Sequence, residues 1–219
     1  KNKEKVGLFA DYDADGIPGA ALLYRALRHI GLDCMIYIPD REAGYGLSKE
    51  GIDYLVKDGC KLIITVDLGI KSCSEAKYSK EMGIDLIVTD HHLIGEELPK
   101  AFAILHTGLI GSQYPYKDLC GCGVAYKLIS ALASEFTQIN EHFLKWNLDL
   151  AAISTVADVV PLLGENRLIA KYGLIVLKKT KNIGLKALYE AAKIVPDKIN
   201  TYTIGFQIAP RINAPGRID

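Results

Sequence analysis

Apolar segments that run directly into an aspartate recur three times in the first half of the chain. Residues 6–10 lead into Asp11, residues 62–66 lead into Asp67, and residues 85–88 lead through Thr89 to Asp90. Short apolar runs of this kind are typical of buried strands. Open α/β sheets bind their ligands outside the carboxyl ends of such strands. The pattern therefore predicts a parallel sheet with acids along its ligand-binding edge.

The acid at the end of the third run is followed by two histidines, in the order Asp90, His91, His92. Carboxylate and imidazole groups both bind divalent ions, so we place the centre of a candidate site here. A fourth acid, Asp158, lies in the otherwise apolar segment 153–161. Burying an unpaired carboxylate is costly, so we expect a cation near it.

The order of the predicted elements indicates the fold class. Predicted strands at 6–10, 34–38, 61–66, 85–89 and 103–105 alternate with predicted helices at 18–27, 48–57, 72–82 and 123–136. This alternation favours an α/β fold: a parallel five-stranded sheet with helices on both faces. Further helices are predicted at 140–146, 148–156, 165–179, 184–193 and 201–207. We expect an α/β core over residues 1–137 and a mostly helical extension over residues 138–219.

Composition limits the class of protein further. The chain has 219 residues, of which 49% are apolar and 24% are charged, as in ordinary globular proteins. No apolar run reaches the length needed to cross a bilayer, so we expect no membrane insertion. The five cysteines lack the spacing of a disulfide framework or a zinc site. A reduced, cytoplasmic location is therefore expected.

Charge is distributed unevenly along the chain. The formal net charge is zero, but residues 161–219 hold ten basic and four acidic side chains, which leaves the first part with an excess of six acids. An acidic region with candidate metal ligands beside a basic region suits a polyanionic substrate. Ordinary solvated helix faces also explain many of the lysines, whereas Arg211 and Arg217 are predicted in a Pro/Gly-rich loop.

Six short motifs occur in order along nearly the whole chain: DYDADG at 11–16, VDLGI at 66–70, DHH at 90–92, GCGVAYKL at 121–128, TVADVVPL at 155–162 and APRINAPGR at 209–217. Together they resemble the DHH phosphoesterase superfamily and, within it, the RecJ-type single-strand-specific exonucleases. The resemblance implies a metal-dependent hydrolase that degrades single-stranded DNA from the 5′ end to mononucleotides in DNA repair and recombination.

The same resemblance implies roles for individual residues. It implies a two-ion mechanism with Mn²⁺ or Mg²⁺, held by Asp13, Asp15, Asp67, His91 and Asp158. Hard carboxylate oxygens favour these ions over a thiolate-type zinc site. The resemblance places His92 near the scissile phosphate as the sixth catalytic residue.

Substrate phosphates are expected at two places. Gly121 and Gly123 precede a predicted helix and would leave backbone N–H groups free to approach an anion, with Lys127 one turn further on. Simple helix-entry chemistry explains the same glycines. The resemblance implies that Arg211 and Asn213 in the terminal loop hold substrate phosphates, a task for which a planar guanidinium is suited.

Other interpretations of single residues remain open. Asp13 and Asp15 also fit an Asx turn before a helix, Asp67 a plain strand-end acid, and Asp158 a helix cap. His92 also fits a residue that only holds His91. Many DHH enzymes have a histidine where this chain has Phe9, so the first ion is expected to have fewer protein ligands, with Asp11 as a substitute. His106 is interpreted as a surface residue rather than an added ligand.

Two other functions remain open. One is an oligoribonucleotide or cyclic-dinucleotide phosphodiesterase of the same superfamily, and the other is a non-catalytic RecJ-like replication scaffold. The expected partners are single-stranded nucleic acid, with DNA preferred, and replication or repair proteins. The superfamily normally carries a second, C-terminal substrate-binding domain. Because the chain reaches Asp219 without one, we expect it to be a fragment of a longer protein.

Overall fold

The centre of the fold is a sheet of five parallel strands: β1 (Lys5–Ala10), β2 (Cys34–Tyr37), β3 (Cys60–Val66), β4 (Asp85–Thr89) and β5 (Ala103–Leu105). The computed structural model describes residues 4–40 and 44–215. The strand order is β2-β1-β3-β4-β5, and every neighbouring pair is parallel. The predicted five-stranded parallel sheet is confirmed.

Helices cover both faces of this sheet: α1 (Gly16–His29), α2 (Lys49–Lys57), α3 (Cys73–Glu81) and α4 (Gly121–Leu132). Successive side chains of a strand point to opposite faces. Leu8 of β1 accordingly packs in one buried cluster with residues of α1 and α4. The next residue, Phe9, packs in a second cluster with residues of α2 and α3. The predicted arrangement of helices on both faces is confirmed.

The described residues after α4 form a mostly helical extension: α5 (Glu141–Trp146), α6 (Leu148–Ala157), α7 (Gly164–Leu177), α8 (Ile183–Ala191), a 3₁₀ turn (Pro196–Lys198), α9 (Thr201–Thr203), a π-helical turn (Ile204–Ile208) and α10 (Ala209–Asn213). Ile153 of α6 and Ile204 of the π-helical turn join the cluster formed by α1 and α4. The extension therefore shares its core with one face of the sheet. Among the described residues, no helix is both long and apolar enough to cross a membrane.

Two predictions about this region are wrong. The sequence predicts a loop around Arg211 and Asn213, but both lie in α10. Pro210 lies in the first turn of α10, a position that proline tolerates, directly after the π-helical turn. Helix α4 starts at Gly121 and ends at Leu132, two residues before the predicted start and four before the predicted end. Arg217 lies outside the described residues.

Strand order determines where a ligand crevice can form. β1 lies between β2 and β3, so the chain leaves β1 toward one edge of the sheet and later returns to pair on its other side. In open parallel sheets, the crevice at the carboxyl ends of two such strands is the usual ligand site. The segment from Asp11 to Asp15 follows β1, and Asp67 follows β3. Both acidic segments therefore line this crevice.

Candidate metal centre

Acids and imidazoles from four distant parts of the chain converge at this crevice. His91 Nε2 lies 3.2 Å from Asp67 Oδ1, 3.6 Å from Asp15 Oδ2 and 3.6 Å from Asp158 Oδ2. Among the described residues, three groups each offer ligand atoms that lie within 4.8 Å of one another: Asp15, His91 and Asp158; Asp11, Asp13 and Asp67; and Asp67, His91 and His92. All five predicted metal ligands belong to these groups.

Asp13 shapes the turn between β1 and α1. Its Oδ1 accepts hydrogen bonds from the N–H groups of Asp15 at 2.8 Å and Gly16 at 2.9 Å. This is the Asx turn that the sequence left open. The turn does not compete with metal binding, because these bonds engage only one of the two carboxylate oxygens.

The N-terminus of α4 holds the carboxylate of Asp15. Asp15 Oδ2 accepts from Gly121 N at 2.6 Å, and Oδ1 accepts from Cys122 N at 2.8 Å. Gly123 N donates to Cys120 Sγ at 3.3 Å. The prediction that these amides are free to approach a substrate anion is therefore wrong. The helix N-terminus does face an anion, as its dipole favours, but the anion is a side chain of the protein.

Asp67 has an unusual backbone and a tightly enclosed side chain. Its φ is 63°, a region that residues other than glycine rarely adopt. A Cβ at Gly121 would lie 2.4 Å from Asp67 Oδ1, so only glycine leaves room for this carboxylate. Burial raises the pKa of Asp67 well above its ordinary value, and the nearby Asp15 and Asp13 raise it further.

Two atoms at the centre of this cluster test whether the residues suit a cation. Asp67 Oδ1 and His91 Nε2 are buried and have no hydrogen-bond partner within residues 4–40 and 44–215. Buried polar atoms without a partner are rare in native proteins and normally indicate a bound water or ion. A carboxylate oxygen and an imidazole nitrogen are both ligands for divalent ions. The donor set therefore fits a metal ion.

Burial also shifts the pKa values of the ionisable groups around these two atoms. Burial, followed by the charges of Asp15 and Asp13, raises the pKa of Asp158 to about 7. Burial, followed by the charge of Asp13, raises the pKa of Asp11 to about 6. Burial lowers the pKa of His91, which favours the neutral imidazole that ligates metals. Cationic charge at the centre would relieve the repulsion among these carboxylates.

Asp90 organises the two histidines that follow it. Its Oδ1 accepts from His91 N at 2.7 Å, His92 N at 3.1 Å and His92 Nδ1 at 2.8 Å, and its Oδ2 accepts from Ile70 N at 2.9 Å. Burial raises the pKa of Asp90, but the bonds from His92 and Ile70 lower it below the ordinary value overall. Asp90 belongs to none of the ligand groups among the described residues. It positions the ligands.

Three further groups, Tyr45, His106 and Ser154, contact residues of the site. The Tyr45 hydroxyl lies 3.1 Å from His92 Nδ1 and 3.3 Å from the carbonyl oxygen of Asp67. His106 Nε2 lies 2.8 Å from the carbonyl oxygen of His92, and His106 belongs to none of the ligand groups among the described residues. Ser154 Oγ donates to the carbonyl oxygen of Ala14 at 3.0 Å. The sequence feature that points to a role for Tyr45 is its position between Gly44 and Gly46, in a loop at the carboxyl edge of the sheet.

Asp158 belongs to the cluster, whereas Lys127 and Arg211 contact protein groups outside the ligand groups of the described residues. Asp158 is the C-cap residue of α6, and its Oδ2 also lies 3.6 Å from His91 Nε2. Its position therefore fits both the helix-cap interpretation and the metal-ligand interpretation. Lys127 Nζ lies 3.1 Å from Glu165. Arg211 Nη1 donates to the carbonyl oxygen of Gln207 at 2.8 Å, and Asn213 Oδ1 is buried without a partner in the described part of the chain. Phe9 is buried and packs on Tyr37, with ring centroids 4.9 Å apart.

An open parallel sheet with helices on both faces and a carboxylate–imidazole cluster at its switch point defines an α/β protein with a candidate metal centre. Residues 5–155 match the model of the DHH family, N-terminal domain. The chain belongs to the DHH family. The single-stranded-DNA-specific exonuclease RecJ of Bacillus subtilis is 45% identical over 218 residues, which are 99% of this chain and 27% of that protein.

Solved structures give the same result. A crystal structure of exonuclease RecJ bound to manganese matches with a TM-score of 0.84 and 34% identity, covering 98% of this chain and 54% of that one. RecJ of Thermus thermophilus in complex with Mn²⁺ matches with a TM-score of 0.81 and 33% identity, covering 98% of this chain and 30% of that one. This chain therefore spans about half or less of each relative.

Proposed function

We propose that this chain is the catalytic domain of a metal-dependent exonuclease specific for single-stranded DNA. The observation that carries the proposal is the convergence of Asp15, Asp67, His91 and Asp158 around the unpartnered atoms of Asp67 and His91. The similarity to RecJ over nearly the whole chain supports this substrate. The proposed activity is 5′-to-3′ hydrolysis to mononucleotides, in DNA repair and recombination.

The proposed cofactors are two Mn²⁺ or Mg²⁺ ions, a choice supported by the manganese bound to the matching RecJ. Asp15, His91 and Asp158 would hold one ion, Asp11 and Asp13 would hold the other, and Asp67 would also serve as a ligand at this centre. Divalent ions bound there would neutralise charge on the phosphodiester and acidify the attacking water. Asp11 would then supply an oxygen where Phe9 replaces a family histidine.

The chain's own residues prepare the site for this chemistry. Gly121 N and Cys122 N fix the orientation of Asp15 before any substrate arrives. Asp90 holds His92 through Nδ1, and this hydrogen bond raises the pKa of His92 above its ordinary value. A protonated His92 next to the scissile phosphate would stabilise the negative charge that develops there.

The finer parts of the proposal concern the whole protein. We propose that Lys127 and Arg211 exchange their present partners for substrate phosphates, that Asn213 also contacts these phosphates, and that replication or repair proteins bind elsewhere. The proposed location is the cytoplasm, with which the five free thiols agree. Residues 1–137 and 138–219 are proposed as the core and the extension of one domain.

A cleavage assay tests the activity. End-labelled single-stranded DNA, duplex DNA, RNA and dinucleotides would be incubated with Mn²⁺, Mg²⁺ or a chelator. We expect metal-dependent release of mononucleotides from single-stranded DNA, lost in Asp67→Ala and retained in the exposed control Asp197→Asn. Unchanged activity of Asp67→Ala would contradict the proposed centre, and faster hydrolysis of dinucleotides would contradict the proposed substrate.

A further inference from the structure

A cavity of about 190 Å³ lies between α1, the α5–α6 corner and the segment that leads into α8. None of the candidate metal ligands lines it. Its lining includes three basic side chains and two aromatic rings, with Arg25, His142, Trp146, Asn147, Asp149 and Lys181 as its polar and charged wall. Liquid water takes up about 30 Å³ per molecule, so the cavity has room for a small ligand.

Two buried polar atoms on this wall have no partner. Arg25 Nη1 and Asn147 Oδ1 make no hydrogen bond with any described residue. Asn147 is only 2% exposed, and its Nδ2 already donates to the carbonyl oxygen of Phe143 at 2.8 Å. The wall therefore presents one unused donor that carries positive charge and one unused acceptor. Leaving both unmade is costly, so a ligand that supplies both partners would be stabilised.

The charge around these atoms favours an anion. Asp149 is the one acid among the lining residues, and both of its oxygens already accept hydrogen bonds, from Leu150 N at 2.8 Å and Thr180 Oγ1 at 2.6 Å. Lys181 Nζ lies 4.2 Å from the centroid of the Trp146 ring, which holds the ammonium group at the wall. Arg25 and Lys181 together outweigh Asp149.

We propose that this cavity binds a phosphate group, either as inorganic phosphate or as the phosphate of a mononucleotide. Phosphate oxygens match the planar donor fork of Arg25 and the ammonium group of Lys181. A phosphate that keeps one proton also presents a hydroxyl donor to Asn147 Oδ1, which an ionised carboxylate does not. The site is separate from the proposed nuclease centre and does not depend on its activity.

Isothermal titration calorimetry tests the proposal on the metal-free protein in chelator, so that no ion at the other centre binds phosphate. The ligands are inorganic phosphate, a deoxynucleoside 5′-monophosphate and the same nucleoside without phosphate. We expect saturable binding of both phosphate compounds and none of the nucleoside. Tighter binding of the nucleotide would identify the mononucleotide as the source, and equal binding would identify free phosphate.

Two lysine variants distinguish binding in this cavity from nonspecific attraction of phosphate to a basic surface. Lys181→Gln should weaken phosphate binding by about tenfold, as expected for loss of a charged hydrogen bond. Lys186→Gln, an exposed position on α8 outside the cavity, should leave it within about twofold, as exposed charges contribute little. Arg25→Gln should abolish binding, with circular dichroism to verify folding.

Three results would overturn the proposal: no saturable binding of phosphate to the unmodified protein, equal weakening by both lysine variants, or equal binding of the unphosphorylated nucleoside. If Arg25→Gln does not fold, the comparison of Lys181→Gln with Lys186→Gln still tests the proposal, because the Lys181 side chain is exposed and its replacement should not affect folding. A loss of nuclease activity would not affect any of these readouts, so the two proposals can fail separately.

Discussion

His91 Nε2 and Asp67 Oδ1 lie 3.2 Å apart, yet neither atom has a hydrogen-bond partner in the described part of the chain. The two residues follow neighbouring strands, β4 and β3, so the sheet itself brings them together. Because the pKa of His91 is lowered and that of Asp67 is raised, a strong ion pair between them is not favoured. A shared cation accounts for this arrangement better than direct pairing.

The left-handed backbone of Asp67 predicts a ranking of substitutions. In metal-free protein, Asp67→Asn should match or exceed the stability of the unmodified chain, because it removes a buried charge and asparagine tolerates positive φ. Asp67→Val should be less stable than Asp67→Asn by about 1–3 kcal/mol, because a β-branched residue is strained there. Urea denaturation measures both. Equal stability of the two variants would contradict the strain.

Gly121 should control metal affinity without contacting a metal. Gly121→Ala would place a Cβ 2.4 Å from Asp67 Oδ1 and displace the carboxylate. We expect affinity for Mn²⁺, followed by electron paramagnetic resonance, to fall roughly 10- to 100-fold, as for outer-shell changes at other metal sites. Gly205→Ala is the matched control, since a Cβ there would meet no described heavy atom within 4 Å outside its chain neighbours and its own helix backbone. Equal affinity of both variants would disprove this role.

The raised carboxyl pKa values predict that the metal-free protein is stabilised by mild acid. Asp158 and Asp11 titrate near 7 and 6 when folded, against about 3.9 when unfolded. The folded state therefore binds more protons between about pH 4 and 7, and stability falls as pH rises through this range. Scanning calorimetry from about pH 5 to 8 should show a falling Tm.

Two controls apply to this pH dependence. Mn²⁺ should reverse the trend, because ion binding requires deprotonated ligands and strengthens with pH. Asp158→Asn should flatten the slope in metal-free protein. A Tm that rises with pH in the absence of metal would show that the carboxyls are not protonated in the folded state.

Asp90 should act through the histidines rather than through the metal. In Asp90 the two carboxylate oxygens share the donors, whereas Asp90→Asn keeps only one acceptor oxygen. The variant therefore loses the hydrogen bond from Ile70 N or those from His91 and His92. We expect a loss of about 1–3 kcal/mol in stability and a lower pKa for His92. Imidazole titration by NMR measures the pKa. An unchanged pKa would mean that Asp90 does not set the charge of His92.

Sequence alone predicted the sheet well because its signals are local. Apolar runs, the capping serine Ser48 and the glycine after α2, Gly59, each fix one element boundary through its own chemistry. The metal-ligand candidates followed from their positions at strand ends and from the family resemblance. Helix α10 was missed because the proline and arginine of its sequence were interpreted as a loop.

The donors that surround each acid were not predictable in the same way. Asp90 receives the amide of Ile70, 20 positions earlier, and Asp15 receives that of Gly121, 106 positions later. Neither pairing leaves a trace in local sequence, since any exposed backbone N–H is a possible partner. The sequence-based interpretation therefore expected the backbone N–H groups at Gly121 to bind substrate, whereas in the structure Gly121 N and Cys122 N donate to Asp15.

The hydrogen bond from Ser154 to the carbonyl oxygen of Ala14 joins positions 140 residues apart. It lies at the point where α6 brings Asp158 to the acids that follow β1. During translation, the first acids leave the ribosome long before α6 does. A growing polypeptide therefore cannot bring Asp158 to the other acids until α6 has been made and has docked, which requires at least the first 158 of the 219 residues.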